Sequence, residues 1–316
     1  MKGGIYVKQR ISTLGMPREE WLLLRRTGLG GSDAAAILGV HPYKSAYAVW
    51  ADKRGLLSDD GDNEAMRQGR DLEEYVARRF CEKTGKRVQR LNAFLRHPEH
   101  DWMTANIDRR VVGERAGLEC KTSKDLHLKR YRNGEYPIEY YCQCQWYMAV
   151  TGWPVWHLAV LVYGTDLLTY EIPRDEEDVS ALMQAGGAFW MQYVQAGIQP
   201  PTDGSASTER ALSEVFAASD GRCIDLVQAE TVEEYIRLKG EQRTLEERLR
   251  ELSNGLKSAM GEAERMEGGG LRVDWKSVPR RTLDAKRLRA EHPEIDFDKY
   301  TVVTHTRRFE VKGELA

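Results

Sequence analysis

The chain has 316 residues, with 47 Lys and Arg against 49 Asp and Glu and a formal net charge of −2. Its pI is near 6.4 and its mean hydropathy is −0.58, so it lacks the overall basicity of a general nucleic-acid coat, and any DNA-binding potential has to be local. Eight Trp, fourteen Tyr and six Phe exclude disorder over most of the chain, and no run approaches the roughly 18 apolar residues of a membrane helix.

The opening Met1–Tyr6 has no apolar signal core, so export is not expected and a cytoplasmic location is. Glu19–Arg26 reads as a short amphipathic helix with Trp21 and Leu24 inward. The glycine-rich turn Thr27–Asp33 follows, with Ser32 or Asp33 as N-cap of a short helix closed by Gly39. Ala46–Arg54 is a further helix, Ser58–Asn63 an acidic loop, and Asn63–Thr84 a longer helix with Met66, Leu72, Val76, Phe80 and Cys81 at helical spacing. Strands are expected at Arg87–Arg96, Trp102–Val112 and Gly117–Thr122. Glu139–Thr151 is helical, Val155–Tyr163 and Leu167–Ile172 form a hairpin around Gly164–Asp166, and Asp175–Ala196 is helical. Pro200, Pro201 and Gly204 mark the sharpest change of composition. Beyond it, Thr231–Met266 is charged and helical, with Leu238, Leu245, Leu249, Leu252 and Leu256 on heptad-like spacing. Gly255 and Gly261 favour a helical hairpin arm or short coiled coil over a long rod there. Leu271–Val278 and Tyr300–Val311 read as strands.

The odd count of five cysteines fits reduced thiols. Cys142-x-Cys144 has no matching pair for zinc, and no iron–sulfur cluster is expected.

The chemistry concentrates in Asn106-Ile107-Asp108, a turn, then Leu118-Glu119-Cys120-Lys121. Alternate residues of a strand share a face, so Glu119 and Lys121 point together and Cys120 points away. Two carboxylates at a hairpin end suit a Mg²⁺ ion, which takes hard oxygen ligands. A neighbouring lysine can orient or help deprotonate a water, or neutralise charge on a phosphate. Glu119-x-Lys121 is common on strands, and taken alone it is explained more cheaply by a solvated cross-strand ion pair.

Asp108…Glu119-x-Lys121 resembles the core of the PD-(D/E)xK nucleases. Trp21-x-x-x-Arg25, Gly31-Ser32-Asp33-Ala34, Gly69-Arg70-Asp71-Leu72-Glu73 and Gln143-x-x-x-Tyr147 then appear in the order of the YqaJ-type viral recombinases, the lambda-exonuclease-like family, over Glu20–Leu161. The resemblance implies an α/β fold whose mixed central sheet is flanked by helices. It implies metal ligation by Asp108, Glu119, Glu73 and the Cys120 carbonyl, with Lys121 as the catalytic lysine. Gln143 and Tyr147 are implied to reach the site or the DNA backbone, and Arg25 and Ser32 to hold a 5′-terminal phosphate. A glycine-rich turn entering a helix suits an anion on physical grounds as well, although an ordinary N-cap explains it too.

The implied activity is Mg²⁺-dependent, with Mn²⁺ also acceptable: 5′-to-3′ digestion of linear double-stranded DNA, leaving single strands for a single-strand annealing protein. The implied setting is a phage or prophage protein in a bacterial cytoplasm, with a ring trimer as the homo-oligomer. An endonuclease, a RecB-like processor of single-stranded ends, and a non-catalytic DNA-end scaffold are the competing readings. The expected organisation is a nuclease domain at 1–199, a linker at 200–225, and a C-terminal helical arm with a small strand-containing extension at 226–316.

Overall fold

The computed structural model describes residues 7–58, 64–125, 129–163, 167–302 and 307–311. The expected turn at Gly164–Asp166, residues 59–63 of the acidic loop and the side chain of Met66 lie outside the described residues. The chain divides into two compact units, Met1–Phe216 and Ala217–Ala316.

The first unit runs β1 (Gln9–Ser12), α1 (Arg18–Arg26), α2 (Gly31–Ile37), α3 (Ala46–Lys53) and α4 (Glu64–Thr84). It continues through β2 (Val88–Arg90), β3 (Ala93–Arg96), β4 (Thr104–Asn106), β5 (Arg109–Val111) and β6 (Ala116–Ser123). Then come α5 (Ile138–Thr151), β7 (Val155–Val162), β8 (Leu168–Pro173), α6 (Glu176–Phe189) and α7 (Ala206–Val215). The central five-stranded sheet has the order β2-β5-β6-β7-β8. Only the β6–β7 pair is parallel, so the sheet is mixed, as the sequence implies. A smaller antiparallel sheet has the order β1-β3-β4.

Helices cover both faces of the central sheet. Val76, Ala77 and Phe80 of α4 pack with Leu118 and Ala159 on one side. On the other side Trp146, Tyr147 and Met148 of α5 join Trp156, Leu158 and Val160 in the main core. The burial of β7 on both faces explains its near-continuous apolar character, for which parallel pairing is the usual context.

Two expected strands are each broken in two. Arg87–Arg96 splits at Leu91–Asn92, where Asn92 takes a φ of 45°, and the halves join different sheets. Trp102–Val112 splits at Ile107–Asp108 in the same manner. Asparagine tolerates the left-handed region better than most residues, so the break falls where the chain can turn. The N-cap of α2 is Gly30 rather than Ser32 or Asp33. Asp33 instead reaches back from the first turn to accept from the Gly30 N–H at 2.9 Å.

The expected 200–225 linker is also corrected. Its middle forms α7, whose Ser205 Oγ accepts from the Thr208 N–H at 3.2 Å, and Thr208 and Ala211 are buried. Apolar residues three to four apart gave that segment a face to bury against α3 despite the prolines before it.

The second unit contains α8 (Ala229–Met260), the hairpin β9 (Arg265–Gly268) and β10 (Leu271–Asp274), and α9 (Ala285–Glu291). α8 is one uninterrupted helix rather than a helical hairpin, and Gly261 terminates it with a φ of 53°. An interior glycine costs a helix only about 1 kcal/mol, too little to break one of this length. The expected strand Tyr300–Val311 is not found among the described residues: Phe297–Tyr300 is a 3₁₀ turn, and residues 301–302 and 307–311 are irregular.

Candidate active site

Strand β6 carries the first two groups. Glu119 and Lys121 both face α5, whereas Cys120 packs toward α4 on the opposite side. The Lys121 ammonium lies 2.5 Å from Glu119 Oε1 and donates to Gln143 Oε1 at 3.0 Å. Gln143 Nε2 donates to Glu119 Oε1 at 2.7 Å and to the Tyr147 hydroxyl at 2.8 Å. One helical turn separates Gln143 from Tyr147, so α5 presents both on one face. The second oxygen of Glu119, Oε2, is buried and has no hydrogen-bond partner.

Asp108 enters from the break between β4 and β5. Strand β5 stops pairing with β6 at Arg109↔Leu118. Just beyond, Asp108 Oδ2 takes the Cys120 N–H at 2.9 Å, capping the end of the ladder. Glu73 of α4 approaches from the helical side. It forms an ion pair with the Arg109 guanidinium, and Glu74 holds the other nitrogen of that group at 2.9 Å. The Glu73 side chain is 26% exposed and that of Glu74 is 70% exposed, so Glu73 is the one turned inward.

The electrostatics of the cluster are unbalanced. Burial, then the nearby Glu119 and Glu73 charges, push the Asp108 carboxyl well above the usual range. Burial also pushes Glu119 up. Burial opposes the charge on Lys121, but Glu119 and Asp108 outweigh it and hold the ammonium above its ordinary pKa. Lys121 is therefore protonated and suited to donate rather than to accept a proton.

Among the described residues, no three His, Cys, Asp or Glu side chains form a ready-made metal cage. The reason is visible in the contacts: Arg109 draws Glu73 aside, and Lys121 draws one oxygen of Glu119. The donor set nonetheless fits a divalent cation. Its carboxylates destabilise one another's charge, and an unsatisfied oxygen of Glu119 sits among them. A hard cation would satisfy both. The Cys120 residue contributes its N–H to Asp108, and its thiol faces away from the acids.

A second cavity, of about 180 Å³, adjoins the first. Arg25, Gly30, Gly31, Ser32 and Lys53 line it, with Gln143 and Tyr147 at one side. Asn106 lines both this cavity and the one of about 310 Å³ holding Glu73 and Asp108. The glycine-rich turn is pinned to β4: the Leu29 N–H donates to Trp102 O at 2.6 Å, and the Thr104 N–H to Leu29 O at 2.8 Å. Arg25 stacks over the Trp21 ring at 4.7 Å and donates to Ser32 Oγ at 3.4 Å.

Beneath the turn, Asp33 is fully buried between the ammonium groups of Lys44, 2.7 Å away, and Lys53, 2.8 Å away. Burial alone would raise its carboxyl, but Lys44, Lys53 and Arg25 hold it well below the usual range. Lys53 also donates to the Arg25 carbonyl at 3.2 Å, tying the cavity floor to its wall.

All eight side chains singled out from the sequence thus fall in these two adjoining cavities or in the hydrogen-bond network between them. Sequence reasoning missed Lys53 and Lys44, and gave no role of their own to Asn106 and Arg109. The signal for Lys53 lies in its own helix, Ala46-Tyr47-Ala48-Val49-Trp50-Ala51, which is apolar all round and so has no exposed face for a lysine.

An acid at a broken strand junction, with Glu-x-Lys on the neighbouring strand of a mixed α/β sheet, defines a PD-(D/E)xK-type core. The chain belongs to the YqaJ-like viral recombinase family. The model of the YqaJ-like viral recombinase domain matches residues 20–154. The uncharacterized protein YqaJ of Bacillus subtilis (strain 168) is 38% identical over 304 residues, 94% of this chain and 95% of that protein. Protein D345L of African swine fever virus (strain Badajoz 1971 Vero-adapted) is 33% identical over 87 residues, 26% of this chain and 25% of the viral protein. The crystal structure of an alkaline exonuclease from Laribacter hongkongensis aligns with 57% of this chain and 94% of its own, at 22% identity and a TM-score of 0.49.

Proposed function

We propose that this protein is a Mg²⁺-dependent deoxyribonuclease that digests linear double-stranded DNA from 5′ ends, leaving 3′ single strands for a single-strand annealing protein in a bacterial cytoplasm. The observation that carries the reading is the Asp108–Glu119–Lys121 cluster, with its unsatisfied Glu119 oxygen, beside a basic cavity that shares Asn106 with it. Asp108, Glu119 and Glu73, with the Cys120 carbonyl, would hold the cation. When bound, it supplies Lewis-acid polarisation of the scissile phosphate and acidifies a water; Mn²⁺ accepts the same oxygen donors.

The chain's own residues do the rest. Lys121, protonated, donates to the attacking water or to a phosphoryl oxygen as negative charge builds there. Gln143 fixes Lys121 and Glu119 relative to each other, and Tyr147 fixes Gln143. Arg25, Ser32 and Lys53 grip a terminal 5′-phosphate, where an arginine offers paired hydrogen bonds and the lysine a fixed charge. The grip places the first phosphodiester at the acids, which makes cleavage depend on an end.

A digestion time course in Mg²⁺ tests this on 5′-phosphorylated linear duplex, the same duplex with 5′-hydroxyl ends, and covalently closed circles. Faster loss of the phosphorylated duplex, with circles intact, is expected, and Arg25→Ala should erase the preference for phosphate. Cutting of circles would keep the metal site and replace the exonuclease by an endonuclease. DNA binding without any product would favour an end-binding scaffold.

A further inference from the structure

Helix α8 carries an apolar stripe that the catalytic reading leaves unused. Tyr235, Leu238, Leu245, Leu249, Leu252 and Leu256 recur at alternate spacings of three, four and seven, the a and d positions of a heptad. Gln242 completes the register at an a position. The five leucines are between 43% and 61% exposed. The helix half-buries a neighbouring face, through Val232 and Ile236, and buries Met260, and Tyr235 meets the Phe309 ring edge-on at 5.8 Å, so the five leucines are what its own unit leaves open. A seam of this kind fits another helix of the same pattern, and the charges beside it decide which.

We propose that α8 pairs with α8 of a second copy of this chain, antiparallel, with Gln242 of each copy level with Leu245 of the other. This register puts Leu238 against Leu249 and Tyr235 against Leu252, twice each. In an antiparallel pair the g positions face one another, as do the e positions. Glu241 then faces Arg248, and Lys239 faces Glu246, and the two-fold axis repeats each pair.

The alternatives lose these pairs. A slide of one heptad in one direction sets Glu241 against Glu241 and Lys239 against Lys239. A slide in the other direction sets Arg248 against Arg248 and Glu246 against Glu246. A parallel pair joins Glu234 to Lys239 but sets Glu241 against Glu246. Rim charges of this sort choose partner and orientation while the leucines supply the attraction. Within one helix Arg248 is already bonded to Glu251 at 2.6 Å and Glu246 to Gln242 at 2.9 Å, so these side chains lie along the seam's edge at surface positions.

Sedimentation equilibrium of the full chain tests the pairing, with circular dichroism and melting as controls for folding. The native chain is expected to reach twice the mass of the Leu249→Asp/Leu252→Asp variant, whose substituted positions are exposed and so should not disturb the fold. Glu241→Arg should weaken association on the order of tenfold, because two attractive pairs become two repulsive ones. Adding Arg248→Glu should restore it. Equal masses for the native and leucine-substituted chains would overturn the proposal. So would a Glu241→Arg chain that associates as tightly as the native one or more tightly, since that substitution relieves the parallel arrangement.

Discussion

Asp33 shows what one buried carboxylate does at the residue scale. Lys53 and Lys44 bracket it, and its other task is to hold the Gly30 N–H at the start of α2. Its folded pKa lies below the roughly 3.9 of an unfolded aspartate, so the folded state gains from its ionisation. That gain is complete above about pH 4 and is lost as the pH falls through the depressed folded value. Asp33→Asn leaves the buried Lys53 charge with only the more distant Asp52, 3.8 Å away, and breaking such a pair costs up to about 3–5 kcal/mol. Urea denaturation from pH 7 to pH 2.5 should find the variant much less stable at neutral pH, with the gap closing in acid. A gap independent of pH would show that the pair contributes nothing through charge.

Single residues also mark what was legible in the sequence. Glu119 and Lys121 stood out because strand alternation puts them on one face, and Asp108 because with them it completes the pattern that resembles the PD-(D/E)xK core. Lys53 did not, because its partner Asp33 lies twenty positions earlier and only the tertiary fold brings them to 2.8 Å. Arg109 was hidden for the same reason: its pairing with Glu73 joins a strand to a helix 36 positions away.

Among the elements, the contact of α2 with α5 determines how the two cavities meet. Gly31 is the reason they approach so closely. A Cβ there would stand 2.7 Å from Tyr147 Cε1 and 3.1 Å from Gln143 Cγ. Gly31→Ala is therefore expected to lower stability by about 1–3 kcal/mol, the usual cost of overpacking, and to slow cleavage by displacing Gln143 from Lys121 and Glu119. Thermal melting and a rate measurement check this together; an unchanged melting temperature would mean that the helices separate freely. Helix and strand types were largely legible, since the 3.6 and 2.0 periods report local burial. The breaks at Leu91–Asn92 and Ile107–Asp108 were not, because alternation continues across them while the strand passes from one sheet to the other. The continuity of α8 was obscured by its glycines. Its charged pairs, such as Arg237 with Glu241 at 2.5 Å, each add helix support that composition alone does not weigh against them.

At the scale of the whole molecule, the two units differ in how they are held together. Nearly all buried apolar side chains belong to Met1–Phe216, and Met260 is the one in the second unit among the described residues. The first unit thus carries the core and both cavities. The second is built from a long charged helix, a short hairpin and small helical turns. On the proposed function and pairing, that division gives chemistry to one unit and, through α8, association to the other. It also explains why the family resemblance was legible over the first half alone: the motifs that carry it sit at fixed spacings there, whereas a solvated arm is constrained mainly by its heptads.

The central claim is that Asp108, Glu119 and Lys121 cut DNA with a divalent cation. The most direct measurement is the rate of loss of 5′-phosphorylated linear duplex with Mg²⁺ and with EDTA, for the native chain and for Lys121→Ala and Glu119→Ala variants of confirmed fold. The account predicts cleavage by the native chain in Mg²⁺, none in EDTA, and a loss of at least about a hundredfold in either variant. Near-native turnover by either variant, or undiminished cleavage in EDTA, would contradict it.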